Sequence, residues 1–148
     1  MARPMPKEVP DHHDAELVLR LYELRREAVM RESRAKMMQF LPRTWEEFIA
    51  VTDFAHPMNA AFRQVSSYWE MAYGFGRHHI VNPDFLMENT TEGLFLYAKT
   101  LPFLERFRKE VAPTAFRNAE WITTQCETGR QRLELVQARL RKMLEAGR

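Results

Sequence analysis

The chain has 148 residues, of which 45% are hydrophobic and 28% are charged, and its 22 basic and 20 acidic residues give a formal net charge of +2. This length predicts one domain with one hydrophobic core, and the composition excludes a disordered, collagen-like or disulfide-scaffold protein. The near-neutral charge provides no overall attraction to nucleic acid or to an anionic membrane.

The N-terminus and the single cysteine bear on the cellular compartment of the protein. Residues 1–10 hold three prolines and no apolar core of a signal peptide, so we expect a flexible leader there and a folded domain over residues 11–148. Cys126 has no second cysteine to pair with, which favours the cytoplasm. No apolar run approaches the ~20 residues that span a bilayer, so no membrane segment is expected.

Residues 11–41 predict a first long helix. Asp11 or Asp14 can cap its start, and Pro42 ends it. Within this range apolar residues recur at spacings of three and four. On the opposite face, acidic residues such as Glu27 stand four positions before a basic residue, which indicates ion pairs on an exposed surface.

The middle of the chain predicts shorter helices with local start signals. Thr44 and Glu47 form a capping box, and Asn82 precedes a proline in the order expected at a helix start. A helix rich in buried aromatics follows Met58, and we expect Gly74 and Gly76 to end it.

Pro102 should kink or split the segment that runs from residue 90 to residue 111, because proline lacks an amide hydrogen. No segment alternates with period two over the length of a strand, so no sheet is predicted.

Residues 114–146 predict a second long helix, roughly 50 Å in length, without proline and with one glycine. A heptad stripe runs along it, and such a narrow stripe needs a partner helix. The stripe consists of Ala119, Ile122, Cys126, Gly129, Leu133, Val136, Leu140 and Met143. We expect its distal part to extend beyond the central helices and to form the seam of a homodimer; that part is Leu133, Val136, Leu140 and Met143.

Sixteen of the 17 aromatic residues lie between residues 40 and 121, the exception being Tyr22. We therefore predict an all-α helical bundle with long N- and C-terminal helices packed around shorter aromatic-rich central helices. Dense packing is the first interpretation of the central aromatics, and the lining of a ligand cavity is the alternative. The residues concerned are Trp69, Tyr73, Phe95, Tyr97 and Trp121.

The histidine pairs are the candidates for a metal site. His12-His13 and His78-His79 lie near carboxylates, but adjacent residues of a helix point about 100° apart and no E-x-x-H or H-x-x-x-H motif is present. Surface histidines at helix ends are the favoured interpretation, and no cofactor is expected.

No set of catalytic residues is assembled by the sequence. Asp53 with His56 has the side chains of a proton-transfer pair but no nucleophile beside it, so a loop interaction is favoured. Cys126 lies on the apolar stripe and is expected to be a core residue. The basic C-terminal end, from Arg130 onward, lacks interleaved aromatics, and cations are expected at a helix C-terminus, which disfavours nucleic acid.

Three segments together resemble a family of small bacterial helical proteins of unknown function. They are Ser67-Tyr68-Trp69-Glu70-Met71-Ala72 with Gly76, then Ile80 to Phe85, then Leu101 to Arg108. The family pattern is an aromatic-Glu-x-x-Ala helix, a Gly-x-Ile-Asp turn and a kinked helix ending in Arg, and the turn here departs from it by reading Ile-Val-Asn-Pro-Asp. The resemblance implies an all-helical fold and a bacterial origin, and it implies no activity.

The heptad stripes and the lack of a catalytic set favour a non-enzymatic module that self-associates or binds a protein partner. The alternative is a small-molecule or metal-binding bundle that uses the aromatic middle or the histidines.

Overall fold

The computed structural model describes residues 9–147, and all of its regular structure is helical. The helices are α1 His12–Arg25, α2 Ala28–Gln39, α3 Trp45–Ala50, α4 Asn59–Arg77, α5 Pro83–Asn89, α6 Leu94–Thr100, α7 Leu104–Glu110, α8 Arg117–Gln125 and α9 Glu127–Ala146. Single 3₁₀ turns, Thr91–Gly93 and Leu101–Phe103, precede α6 and α7. The all-α prediction is confirmed, and no strand occurs within this range. The expected leader lies mostly outside the described residues.

Helix α4 is the centre of the bundle. It packs against α2 on one side and against α8 on another, while α9 packs across α8, α6 and α5. Ring contacts join the central helices: Phe48 lies 5.2 Å from both Phe103 and Phe107, measured between ring centroids. The aromatic middle therefore forms the core, and no helix of the described part is long and apolar enough to cross a membrane.

The prediction of one continuous helix over residues 11–41 is wrong, because the helix is interrupted between α1 and α2. The Glu27 carboxylate accepts hydrogen bonds from the amides of Val29 and Met30, both at 3.1 Å, and so caps the start of α2. These amide bonds hold the pKa of Glu27 below its usual range. A residue interpreted as half of an exposed ion pair is therefore a helix cap.

The second long helix is also two helices. At Cys126 the backbone is extended, with φ −119° and ψ 126°, and α9 turns back against α8. The Asp84 carboxylate supports the new start, since its Oδ1 accepts the Thr128 hydroxyl at 2.6 Å. The heptad spacing of apolar residues continues across the break, because the buried residues of α8 and those of α9 each follow it.

The predicted N-cap side chains are confirmed, but the Thr44–Glu47 box is only half formed, because the Glu47 carboxylate accepts the Arg43 amide at 2.7 Å in place of that of Thr44. The Asp11 carboxylate accepts the amides of His13 and Asp14, the Thr44 hydroxyl accepts an amide at 3.2 Å, and the Asn82 side chain accepts one at 2.9 Å. The predicted effect of Pro102 is confirmed as the 3₁₀ turn between α6 and α7.

The expectation that Gly74 and Gly76 end their helix is wrong, since α4 continues to Arg77. The left-handed residue that follows the helix is His79, with φ 57°. Gly76 instead allows close packing: a Cβ there would lie 2.9 Å from the Ile122 side chain and 3.1 Å from that of Leu86.

Gly129 allows a close crossing of α8 and α9. A Cβ at this position would overlap the carbonyl oxygen of Ile122 and lie 2.7 Å from its carbonyl carbon. Backbone atoms cannot rotate aside, so the two helices would have to separate.

We expect Gly129→Ala to lower the free energy of unfolding by about 3 kcal/mol, although alanine is the better helix former. Gly147→Ala is the matched control, because its Cβ would lie closest to the flexible side chain of Arg43, at 2.8 Å, and no nearer than 3.6 Å to the two backbone oxygens beside it. Urea denaturation of both variants measures the difference. Equal stabilities would contradict the proposed steric role of Gly129.

Candidate functional site

A solvent-open groove of about 610 Å³ lies between α4 and the segment that joins α7 to α8. Its lining combines buried phenylalanines with exposed or half-buried polar side chains. The lining residues are Phe62, Arg63, Ser66, Ser67, Glu70, Phe107, Ala112, Thr114, Ala115 and Phe116. This is the candidate site, which we call the α4 groove.

The wall of the α4 groove depends on an unusual helix start. Phe116 precedes α8 in the left-handed conformation, with φ 59°, and provides no side-chain cap. The left-handed conformation is sterically unfavourable for a phenylalanine. The Phe116 ring is buried, with its centroid 5.9 Å from that of the Tyr97 ring. The first amides of α8 therefore need an acceptor from elsewhere in the fold.

Glu70 of α4 supplies that acceptor. Its two carboxylate oxygens accept the amide of Asn118 at 3.0 Å and that of Ala119 at 2.8 Å, and the Asn118 side chain donates back to the Glu70 carbonyl at 2.9 Å. Burial raises the pKa of Glu70, while the two amides and the nearby Arg108 oppose that rise. Both oxygens are occupied, so Glu70 is a structural cap.

Arg108 stabilises the other side of the same wall. Its Nε donates to the Ala115 carbonyl at 2.9 Å, and its Nη1 donates to the Glu120 carboxylate at 2.7 Å. Glu70 and Arg108, both within the segments that carry the family resemblance, do not bond each other directly. They hold the start of α8 from two directions.

The polar side chains of the α4 groove are mostly engaged with their own helix. Its lining contains no histidine or cysteine, and the hydroxyl of Ser67 donates to the Arg63 carbonyl at 2.7 Å. Arg63 donates through Nε to Asn59 at 2.8 Å, and within residues 9–147 it forms no salt bridge. The groove therefore offers apolar contact and a guanidinium without a salt bridge, which lies over the Phe54 ring, 4.9 Å from its centroid.

The five aromatics predicted as a core or a cavity lining take part in several contacts. Trp69 and Tyr73 stack with ring centroids 5.9 Å apart. Trp69 and Phe95 share the wall of a cavity of about 20 Å³, which has room for about one water molecule. Tyr97 packs on Phe116, and Trp121 meets His79 edge to face at 5.8 Å.

The histidines are dispersed. The rings of His12 and His13 lie 4.0 Å apart at the start of α1, whereas His78 and His79 follow the end of α4. Over the described residues, no three His, Cys, Asp or Glu side chains lie close enough together to hold a metal ion. His56 accepts the Met58 amide at 3.0 Å, which is a loop interaction.

The predicted dimer seam faces the protein's own helices. Val136 and Leu140 are 0% and 8% exposed, while Leu133 and Met143 are half-buried. Upstream on the same stripe, Cys126 is buried and donates to Asp84 at 3.2 Å. Burial raises the pKa of its thiol to about 11, so the thiolate that a nucleophile requires is scarce near neutral pH.

The cations near the C-terminus, from Arg130 to Lys142, are exposed except for the half-buried Arg132. Arg130 pairs with Glu127, but Arg132, Arg139, Arg141 and Lys142 form no salt bridge within the described part of the chain. No aromatic side chain lies among them, so the structure adds no base-stacking surface to this charge.

Lys99 is a buried group that the sequence analysis missed. Its residue is 4% exposed, and its Nζ donates to the Met37 carbonyl, in the last turn of α2, at 2.7 Å. Burial lowers the pKa of Lys99 from 10.5 to about 8. The sequence signal that could have indicated this burial is the position of the lysine within the largely apolar run Leu94–Thr100.

Comparison with known proteins identifies one family. The model of a domain of unknown function, DUF4760, matches residues 10–126, which include α1 to α8 and exclude α9. Neither the curated proteins nor the solved structures contain a match to the chain.

We expect Glu70→Ala to lower the free energy of unfolding by about 2 kcal/mol, because it leaves two amides at the start of α8 without an acceptor. Glu70→Gln keeps one carbonyl oxygen and should lose roughly half as much. Urea denaturation tests both, with Glu88→Ala as an exposed control expected to change stability by less than about 0.5 kcal/mol. A Glu70→Ala protein as stable as the control would contradict the capping role.

The buried Lys99 makes the stability of the protein depend on pH. Between pH 8 and 10.5 the unfolded chain retains a proton on Lys99 that the folded protein has released, so the free energy of unfolding should rise with pH. This contribution is present above pH 10.5 and is lost as the pH falls through about 8.

Lys99→Met removes the titration. From pH 7 to 9.5, wild type should gain roughly 2 kcal/mol relative to this variant in paired urea experiments. Tyr68, whose pKa burial raises to about 12, and Cys126 are common to both proteins, so their titrations cancel in the difference. Parallel stability curves would show that Lys99 keeps its ordinary pKa.

Proposed function

The chain belongs to the DUF4760 family, and from that premise and the geometry of the α4 groove we propose that it is a non-enzymatic module that binds an apolar segment of a partner protein. The observation that carries the proposal is the groove itself. Its volume, about 610 Å³, accommodates several side chains, and its floor is formed by Phe62, Phe107 and Phe116.

The open shape of the α4 groove favours a segment of a protein over a small molecule. Its volume lies within the range of small-molecule sites, but such sites enclose most of the ligand surface, and this groove stays open along one side. An extended or helical segment can place one face in such a groove and leave the other in water.

The polar rim adds a charge preference. Arg63 is exposed, and the nearby Ser67 and Thr114 are also exposed. Glu70 binds the backbone amides of Asn118 and Ala119, and no carboxylate of the described residues pairs with Arg63, so the exposed guanidinium is available to a carboxylate of the partner. The expected partner segment therefore has large apolar side chains and an acidic residue beside them.

The other functional expectations stay predictions. A homodimer through Leu133 and Met143 would have to use the half-buried edge of α9, since Val136 and Leu140 are covered by the chain itself. The bacterial origin implied by the resemblance and the cytoplasmic location expected from Cys126 are likewise untested, as is the alternative of a small-molecule or metal-binding bundle.

The proposal predicts which peptides the protein selects from a displayed random library. Enriched peptides should share aromatic or large aliphatic residues next to an acidic residue, and Ser67→Trp should weaken their binding at least about tenfold by filling the α4 groove. Fluorescence anisotropy with the synthesised peptide measures the affinity.

Gln64→Trp is the matched control, because Gln64 is exposed on the same helix and does not line the groove. It should bind like wild type. Equal binding by both variants, or enrichment of peptides without apolar residues, would refute the groove as the site. Binding of a small apolar dye that Ser67→Trp abolishes, without any selected peptide, would support the small-molecule alternative instead.

A further inference from the structure

A second concave feature lies between α2, α4 and α6, apart from the α4 groove. It is the cavity of about 20 Å³ beside Trp69. The wall combines apolar side chains with three charged ones, Arg34, Glu92 and Lys99. Most of the lining is apolar, including Met37, Val65 and Leu96.

Lys99 brings a charge to this cavity without a matching carboxylate. At 4% exposure its ammonium group has lost most of its water, and no Asp or Glu of the described chain lies within salt-bridge distance of it. The Met37 carbonyl accepts one of its three N–H groups. Buried charges are normally paired because the loss of hydration is costly, so the remaining donors lack a counter-charge.

The neighbouring carboxylate is already occupied. Glu92 accepts Arg34 at two atoms, at 2.9 Å from Nε and 2.5 Å from Nη2, and it also accepts Arg25 at 3.4 Å. Two guanidinium groups thus share one carboxylate, and with Lys99 this makes three cations against one anion. The C-terminus of α2 offsets only about half a charge.

We propose that this cavity binds one monovalent anion of halide size, held by the ammonium group of Lys99 with Arg34 on the same wall. The volume holds about one water-sized particle, which matches a halide ion better than phosphate or sulfate. The apolar side chains suit a weakly hydrated halide, since they ask for no further hydrogen bonds from it. The anion neutralises the excess charge where α2 meets α6, so it should stabilise the fold.

The test replaces sodium gluconate by sodium chloride at constant ionic strength and follows urea unfolding at pH 7. Gluconate is too large for the cavity. For wild type the equilibrium constant for unfolding should fall by the factor 1 + [Cl⁻]/Kd, about tenfold once chloride exceeds its Kd roughly ninefold. Lys99→Met should show no such response, whereas Lys142→Met, which removes an exposed lysine of α9, should respond like wild type.

The response should also depend on pH. The groups that face the cavity region from α1, α2, α4 and the 3₁₀ turn are Arg25, Arg34, Tyr68 and Glu92. Arginine does not lose its proton, and burial raises the pKa of Tyr68 to about 12, so the change between pH 7 and 9 falls on Lys99, with its pKa of about 8. Chloride affinity should fall about tenfold over this range.

A crystal soaked in sodium bromide gives a direct readout that does not depend on a folded variant. An anomalous peak within hydrogen-bonding distance of Lys99 Nζ is expected. The proposal is overturned if the soaked cavity shows no bromide, or if wild type and Lys99→Met respond equally to chloride. The α4 groove takes no part in either measurement, so this outcome is independent of the proposed protein-binding function.

Discussion

The carboxylate of Glu70 caps a helix that begins almost fifty residues later in the chain, and the arrangement of the C-terminal half depends on it. The two amides that it accepts, from Asn118 and Ala119, are the second and third donors of α8, which has no side-chain cap at its N-cap residue. A helix N-terminus carries a partial positive charge, so a carboxylate is well matched to it. This contact fixes α8 on α4, and the close crossing at Gly129 then fixes α9 on α8.

The same contact connects stability with the proposed binding surface. Glu70 and Arg108 hold the segment between α7 and α8, and that segment is one wall of the α4 groove. The strained backbone of Phe116 is maintained by these contacts and places a phenylalanine ring in the floor. One wall of the groove is therefore held in place by capping contacts between residues distant in sequence. The opposite wall belongs to α4, the longest of the central helices.

The sequence predicted features whose partners lie within a few residues. The caps at Asp11, Thr44 and Asn82 and the kink at Pro102 are of this kind, and all are present. The break at Cys126 could not be predicted this way, because the carboxylate that supports the start of α9 comes from Asp84, 42 residues from the cysteine. The heptad pattern passes through the break unchanged, so periodicity alone indicates one helix where there are two.

The candidate site was beyond sequence reasoning for a similar reason. Its lining comes from α4, α7 and an irregular segment, and no motif marks them as neighbours. The central aromatics were predicted correctly as members of the core region, since a strong apolar period identifies burial. Lys99 was missed because a lysine within an amphipathic helix is ordinarily assigned to the exposed face. Here its long side chain instead extends through the protein to the end of α2.

Helix α9 has a consequence for the family as a whole. The region shared with DUF4760 stops at residue 126, yet the helix beyond it covers α5 and α6 and contributes the fully buried Val136. A relative that shares only the matched region has the same two helices to shield from water. In such a chain the faces of α5 and α6 that α9 buries here would meet water unless another segment covered them.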